Sequence, residues 1–156
     1  MTESKERKVG SVTSDMRNTY AQTKFRNNSK STKKDSKQVA HILDLELATH
    51  ILTFTKGKKP CAKLKVILND QSNFRLVKRD TNLIDHRKTV KSLIVKSQDS
   101  KAILTKKEET RVRQQVEFLY SKKDALPKGF KKACIYFYKQ LTTQNGETLL
   151  DLRKFK

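Results

Sequence analysis

Uneven positive charge is the feature that most limits how this chain can fold. Residues 56–107 hold 15 basic and four acidic side chains, an excess of +11 in one third of the sequence. Residues 37–55 sum to −1, and residues 108–156 to +5. Like charges at this density repel one another on compaction, so the fold must spread them over its surface or gather them on a face that meets a polyanion. The first 36 residues contribute nine basic and four acidic groups, or +5, of a formal total of +20. The excess therefore belongs mainly to the part of the chain able to fold, whereas a merely tailed protein would show the reverse.

Residues 1–36 cannot supply a core. The run KFRNNSKSTKKDSK at Lys24–Lys37 is almost wholly basic, amide and hydroxyl side chains, and Tyr20 and Phe25 are the segment's two aromatics. So little apolar surface does not offset the entropy of ordering the backbone. The expectation is a disordered basic arm at 1–36 and a single domain at 37–156. Met1–Lys8 lacks the apolar stretch of a signal peptide and carries Glu3 and Glu6,. No apolar run reaches the length of a membrane span. Two cysteines, Cys61 and Cys134, do not make a disulfide framework, which fits a reducing compartment, nuclear or cytoplasmic,.

Within the domain, Val39, Leu43, Leu47 and Ile51 recur every four residues and predict a helix over 37–54. Leu43, Leu45 and Leu47 also alternate with Asp44 and Glu46, which is strand spacing; the helix is favoured. Ser36 stands where a cap would start it and Gly57 just past its end. Ala62, Leu64, Val66 and Leu68 alternate with Lys63 and Lys65, predicting a strand over 61–68. Asn69–Asn73 reads as a turn and Phe74–Lys78 as the returning strand of an antiparallel hairpin. Leu93–Val95 and Ala102–Leu104 flank a further turn at Ser97–Ser100, giving a second hairpin or a strand running into a helix. Thr105 and Glu108 have capping-box spacing, and Val112, Val116 and Leu119 continue as an amphipathic helix. Phe130, Cys134, Phe137 and Leu141 mark another, Asn145-Gly146 a turn, and Leu149–Phe155 a short closing element. Strands in succession and helices grouped make this α+β.

The hairpin is the expected site. Lys56, Lys58, Lys59, Lys63, Lys65, Arg75, Lys78 and Arg79 lie on or beside it, and alternation would set Lys63, Lys65 and Arg75 on one open face suited to phosphates. Arg87, Lys88 and Lys91, with Lys96, form a second patch. Lys131 and Lys132 belong to a third, beside Tyr136, Phe137 and Tyr138. Basic groups interleaved with tyrosine can stack on bases, but the favoured reading puts Phe137 in the core with both tyrosines sealing its rim.

Catalysis and metal binding find little support. His41, His50, His86, Cys61 and Cys134 show no metal-ligand spacing. Asp80 with Asp85, and Asp44 with Glu46, are the close acidic pairs outside the predicted amphipathic helices at the C-terminal end, and Asp85-His86-Arg87 is the one candidate acid–base group. No cofactor is expected, since four glycines form no phosphate-cradling loop,. The expected function is therefore non-catalytic binding of RNA or DNA, with RNA in a ribonucleoprotein assembly first. The alternatives are a self-associating nucleocapsid or packaging protein, an adaptor docking an acidic protein surface, and a metal-dependent nuclease.

Overall fold

The structure is a computed structural model that describes residues 37–55, 62–78 and 82–156. The expected arm and the KGKKP run at 56–60 lie outside the described residues, as do Ser36, Gly57, Cys61, Arg79 and Asp80. The fold is α+β: among the described residues there are a two-stranded antiparallel sheet and six α-helices.

The first departure from expectation comes at the start. Lys37–His41 is a strand, β1, and only Leu45–Leu52 is helical, α1. Asp44 divides them. Its backbone is extended, and its Oδ1 accepts the N–H groups of Glu46 (2.7 Å) and Leu47 (3.4 Å), capping α1,. The four-residue spacing that pointed to one helix thus runs across a strand, a turn and a helix. Leu45, Leu47, Ala48 and Ile51 form the buried side of α1.

The second departure removes the expected hairpin. Ala62–Leu68 is a helix, α2, rather than a strand. Leu64, Ile67 and Leu68 are buried at i, i+3 and i+4, whereas Val66 is 72% exposed. A strand would have buried Val66 beside Leu64 and Leu68. The predicted strand Phe74–Lys78, β2, is present, but its partner is β1, in the register Lys37↔Lys78 to His41↔Phe74.

Asn73 joins these pieces. It is fully buried just before β2, and its Oδ1 accepts the Leu43 N–H at 2.7 Å. Its Nδ2 donates to the carbonyls of Leu43 (3.2 Å) and Leu68 (2.9 Å), and its own carbonyl accepts the Ile42 N–H at 2.7 Å. One side chain thereby satisfies backbone groups in the β1–α1 turn and at the end of α2, groups that burial would otherwise leave without partners.

A π-helical turn at Asn82–His86 leads into α3, Arg87–Ser97. The second hairpin is also absent: Leu93 is buried within α3 together with Val90 and Ser97, and Val95 is 61% exposed. The predicted turn follows, with Asp99 N–H bonded to the Lys96 carbonyl and Ala102 N–H to that of Asp99. The capping box is formed as its spacing predicts. Thr105 Oγ1 accepts the Glu108 N–H and Glu108 Oε1 accepts the Thr105 N–H, opening α4 at Lys106–Ser121. Helix α5, Lys128–Lys139, buries Phe130, Cys134 and Phe137 on the predicted stripe, and Leu141 beyond it is buried too. Gly146 has φ +71°, the left-handed conformation of the expected Asn-Gly turn,. A short helix α6, Leu152–Phe155, seats Phe155 in the core.

All six helices contribute to one apolar core. Helix α1 packs against both α3 and α5, and α4 against α6. Burial on this scale leaves the charged side chains to the outer faces of the helices and to the turns, and those of α2 and α5 are all basic.

Candidate nucleic-acid interface

The carboxylates of the fold are largely committed to particular cations. Asp44 bonds His86, Asp70 pairs with Lys122 (3.5 Å), and Asp85 with Lys107 (3.0 Å). Glu108 pairs with Lys96 (2.6 Å), Glu109 and Glu147 with Arg113 (3.9 and 2.9 Å), and Asp151 with Arg153 (3.4 Å). Lys96, expected in the second basic patch, is thereby withdrawn from it. Its ammonium also donates to the Ile103 carbonyl, and Ser92 bonds the other oxygen of Glu108. Burial of Glu108 pushes its carboxyl up, but the bonds from Lys96, Ser92 and the Thr105 N–H prevail and hold it below its usual value.

Cations with no carboxylate partner among the described residues include Lys101, Lys106, Arg111, Lys123, Lys154 and Lys156, scattered singly, and groups of them on three helices. On α3, Arg87, Lys88 and Lys91 are exposed on the side opposite Val90, Leu93 and Ser97, within an arc of about 100° at the helical pitch,. On α2, Lys63 and Lys65 are exposed on either side of Val66. They project from a short helix and not from a ribbon, so the expected open strand face with Arg75 does not exist. Arg75 lies opposite Ala40 in β2 and is half-buried; its Nε and one terminal nitrogen are enclosed with no hydrogen-bond partner. Lys78 ends the same strand. Lys56, Lys58, Lys59 and Arg79 are outside the described residues.

On α5 the basic groups form a line. Lys128, Lys132, Tyr136 and Lys139 are all exposed. Their spacing of four, four and three residues keeps them within an arc of about 80° and extends about 16 Å along the axis. Lys131, the other α5 residue expected in the site, is turned to the side, with its ammonium 5.1 Å from the centre of the Phe155 ring. Tyr136 is 55% exposed, although Phe137 and Tyr138 beside it are in the core. The two tyrosines therefore do not share a role: the Tyr138 hydroxyl donates to Gln115 Oε1 at 2.8 Å, well inside the protein. The Tyr136 ring rests against Phe54, centroids 5.0 Å apart and planes inclined at 43°. His50 meets Phe54 edge-on at 5.7 Å and Phe137 at 5.9 Å. Burial pulls the His50 imidazole below its ordinary value.

Sequence reasoning marked the lysines near Tyr136 but missed the line. The signal was there, because Lys128, Lys132, Tyr136 and Lys139 occupy the complement of the Phe130, Cys134, Phe137 and Leu141 stripe. The brace from Phe54 had no such signal, since it joins residues more than 80 positions apart.

The acid–base tripeptide does not converge. His86 turns to Asp44 while Asp85 turns to Lys107, so neighbours in sequence serve different partners. Among the described residues no three His, Cys, Asp or Glu side chains come together, and no helix is long and apolar enough to cross a membrane. Comparison with protein families, curated proteins and solved structures finds no match to this chain.

Proposed function

We propose that this chain is a non-catalytic nucleic-acid-binding protein, with RNA in a ribonucleoprotein assembly as its ligand, held mainly by backbone phosphates. The observation that carries this reading is the division of cations. Carboxylates engage Lys96, Lys107, Arg113, Lys122 and Arg153, while the outer faces of α2, α3 and α5 keep lysines and arginines with no carboxylate in pairing range among the described residues. Exposed cations without internal counter-charges bind polyanions by releasing the condensed ions around the phosphates. The net charge of +20 adds long-range attraction that speeds encounter,. A nuclear or cytoplasmic setting, where such ligands abound, belongs to the same proposal.

The test is binding of a labelled RNA followed by fluorescence anisotropy across a salt series. If about five to eight phosphates are neutralised, log K falls against log salt with a slope of roughly −4 to −7. Changing Arg87, Lys88 and Lys91 together to Gln reduces the slope by about 2 to 3 and weakens all RNA sequences alike, as phosphate contacts do. A chain that retains no polynucleotide at low ionic strength, yet forms a stoichiometric complex with an acidic protein, would refute this reading.

A further inference from the structure

We infer that Tyr136 is a stacking platform for an unpaired base, so that the strand held along α5 is single. This rests on the nucleic-acid reading above and adds the form of the ligand. Three observations converge on it. The first is exposure: Tyr136 leaves 55% of its surface in solvent on the outer helix face, whereas Phe137 and Tyr138, which follow it, leave almost none. The second is bracing. Phe54 lies against the Tyr136 ring, His50 holds Phe54 edge-on, and His50 in turn sits on Phe137, so a chain of rings runs from the core to the surface. A ring fixed in this way loses little freedom when something stacks on its open side. The third is charge. Lys132 stands one turn before Tyr136 and Lys139 one turn after it, both exposed and neither paired with a carboxylate among the described residues.

An aromatic face flanked by cations suits a strand whose bases are free and whose phosphates pass on either side. In a duplex the bases are stacked on one another and present no open face to a ring on a helix. Every base has a π-face, so the platform accepts any base and confers little sequence preference.

The chain contains no tryptophan. Tyr136→Trp therefore places a sole tryptophan, excited selectively over the tyrosines at long wavelength, at the proposed contact. Its emission should be quenched on adding a single-stranded oligonucleotide. An abasic strand of equal length, which keeps its phosphates, should bind without quenching, and a duplex should not quench. Separately, Tyr136→Ala should weaken single-strand binding by about 5- to 150-fold, the range for one base–aromatic stack, with the salt slope unchanged; Tyr136→Phe should bind like the parent. Equal quenching by the abasic strand, or a Tyr136→Ala protein that binds single strands as tightly as the parent, overturns the inference. In that event a steep salt dependence would leave the phosphate reading standing. Loss of all binding by the unaltered chain at low salt would remove both.

Discussion

Replacing Asn73 by alanine tests how the irregular N-terminal half is held together. The change deletes one accepted and two donated hydrogen bonds, at 2.7, 3.2 and 2.9 Å, between a fully buried side chain and the backbone of Leu43 and Leu68. Each such bond contributes about 1 kcal/mol net, and each buried group left unpaired carries a penalty of about 1–3 kcal/mol. A water entering the vacated space would recover part of that, so a loss of about 3 kcal/mol is expected. At a urea m-value of about 2 kcal/mol/M, the unfolding midpoint should fall by about 1.5 M with the slope unchanged. Asn73→Asp gives a sharper control. It keeps an acceptor for the Leu43 N–H but turns a second oxygen toward the Leu43 and Leu68 carbonyls. It should therefore be at least as unstable as the alanine variant at neutral pH. Urea titrations followed by far-UV circular dichroism decide the matter. An alanine variant within about 0.5 kcal/mol of the parent, or an aspartate variant more stable than the alanine one, would refute the assigned role.

Two further perturbations probe ionisable groups, one on α4 and one on α1. Glu108→Gln keeps an oxygen for the Thr105 N–H but removes the charge that pairs with Lys96, and should cost about 2 kcal/mol by urea denaturation, since bonds to charged groups contribute about 1.5–3 kcal/mol,. Because the Glu108 carboxyl is held below its usual value, its contribution is present above the unfolded-state pKa of about 4.3 and lost as pH falls through the lower folded value; the parent should lose this increment on acidification and Glu108→Gln should not,. His50 works in the opposite chemical sense but with the same direction in pH. Its imidazole is pulled below 6.5 by burial, so the unfolded chain takes up the proton first, and stability falls as pH drops through 6.5 and levels off below the folded value,. The difference in unfolding free energy between the parent and His50→Gln, followed from pH 7.5 to 5, should show this slope.

How much could be read from the sequence depended on the length of each period. Helices α4 and α5 run for 16 and 12 residues, long enough for a 3.6-residue repeat to exclude a strand,. The capping box and the Asn-Gly turn are local chemistry, carried by residues at most three apart, and both form as expected. Helix α2 has seven residues, and over so short a span Leu64 and Leu68 fit a period of 2 as well as one of 3.6. Val66 and Ile67 separate the two, and the exposure of the one and burial of the other follow from packing that no local pattern contains. At the N-terminal end, the four-residue spacing bridges β1 and α1 although Asp44, a capping residue type, stands between them; the turn there is held by Asn73, some 30 residues away, which no local pattern reveals.

Charge was less sensitive to these errors than architecture. A lysine next to a buried leucine faces outward in a strand or in a helix, so Lys63 and Lys65 are exposed under either assignment, although the ribbon that was to unite them with Arg75 is absent. Which cations remain available is a different matter, because that depends on where the carboxylates end up. Lys96 and Lys88 are indistinguishable by composition, and both lie on α3. One turns toward α4 and meets the capping glutamate; the other faces solvent. The same glutamate that caps α4, and was recognised for it, therefore also removes a lysine from the basic surface. Local capping chemistry and the electrostatic face of α3 are coupled through one side chain, and so Glu108→Gln should release Lys96 as well as loosen α4. If the phosphate reading holds, that variant will bind RNA slightly more tightly, with a salt slope steeper by up to about 1, even as it becomes less stable. Stability and affinity moving in opposite directions on one substitution is an outcome that a general loss of structure would not produce.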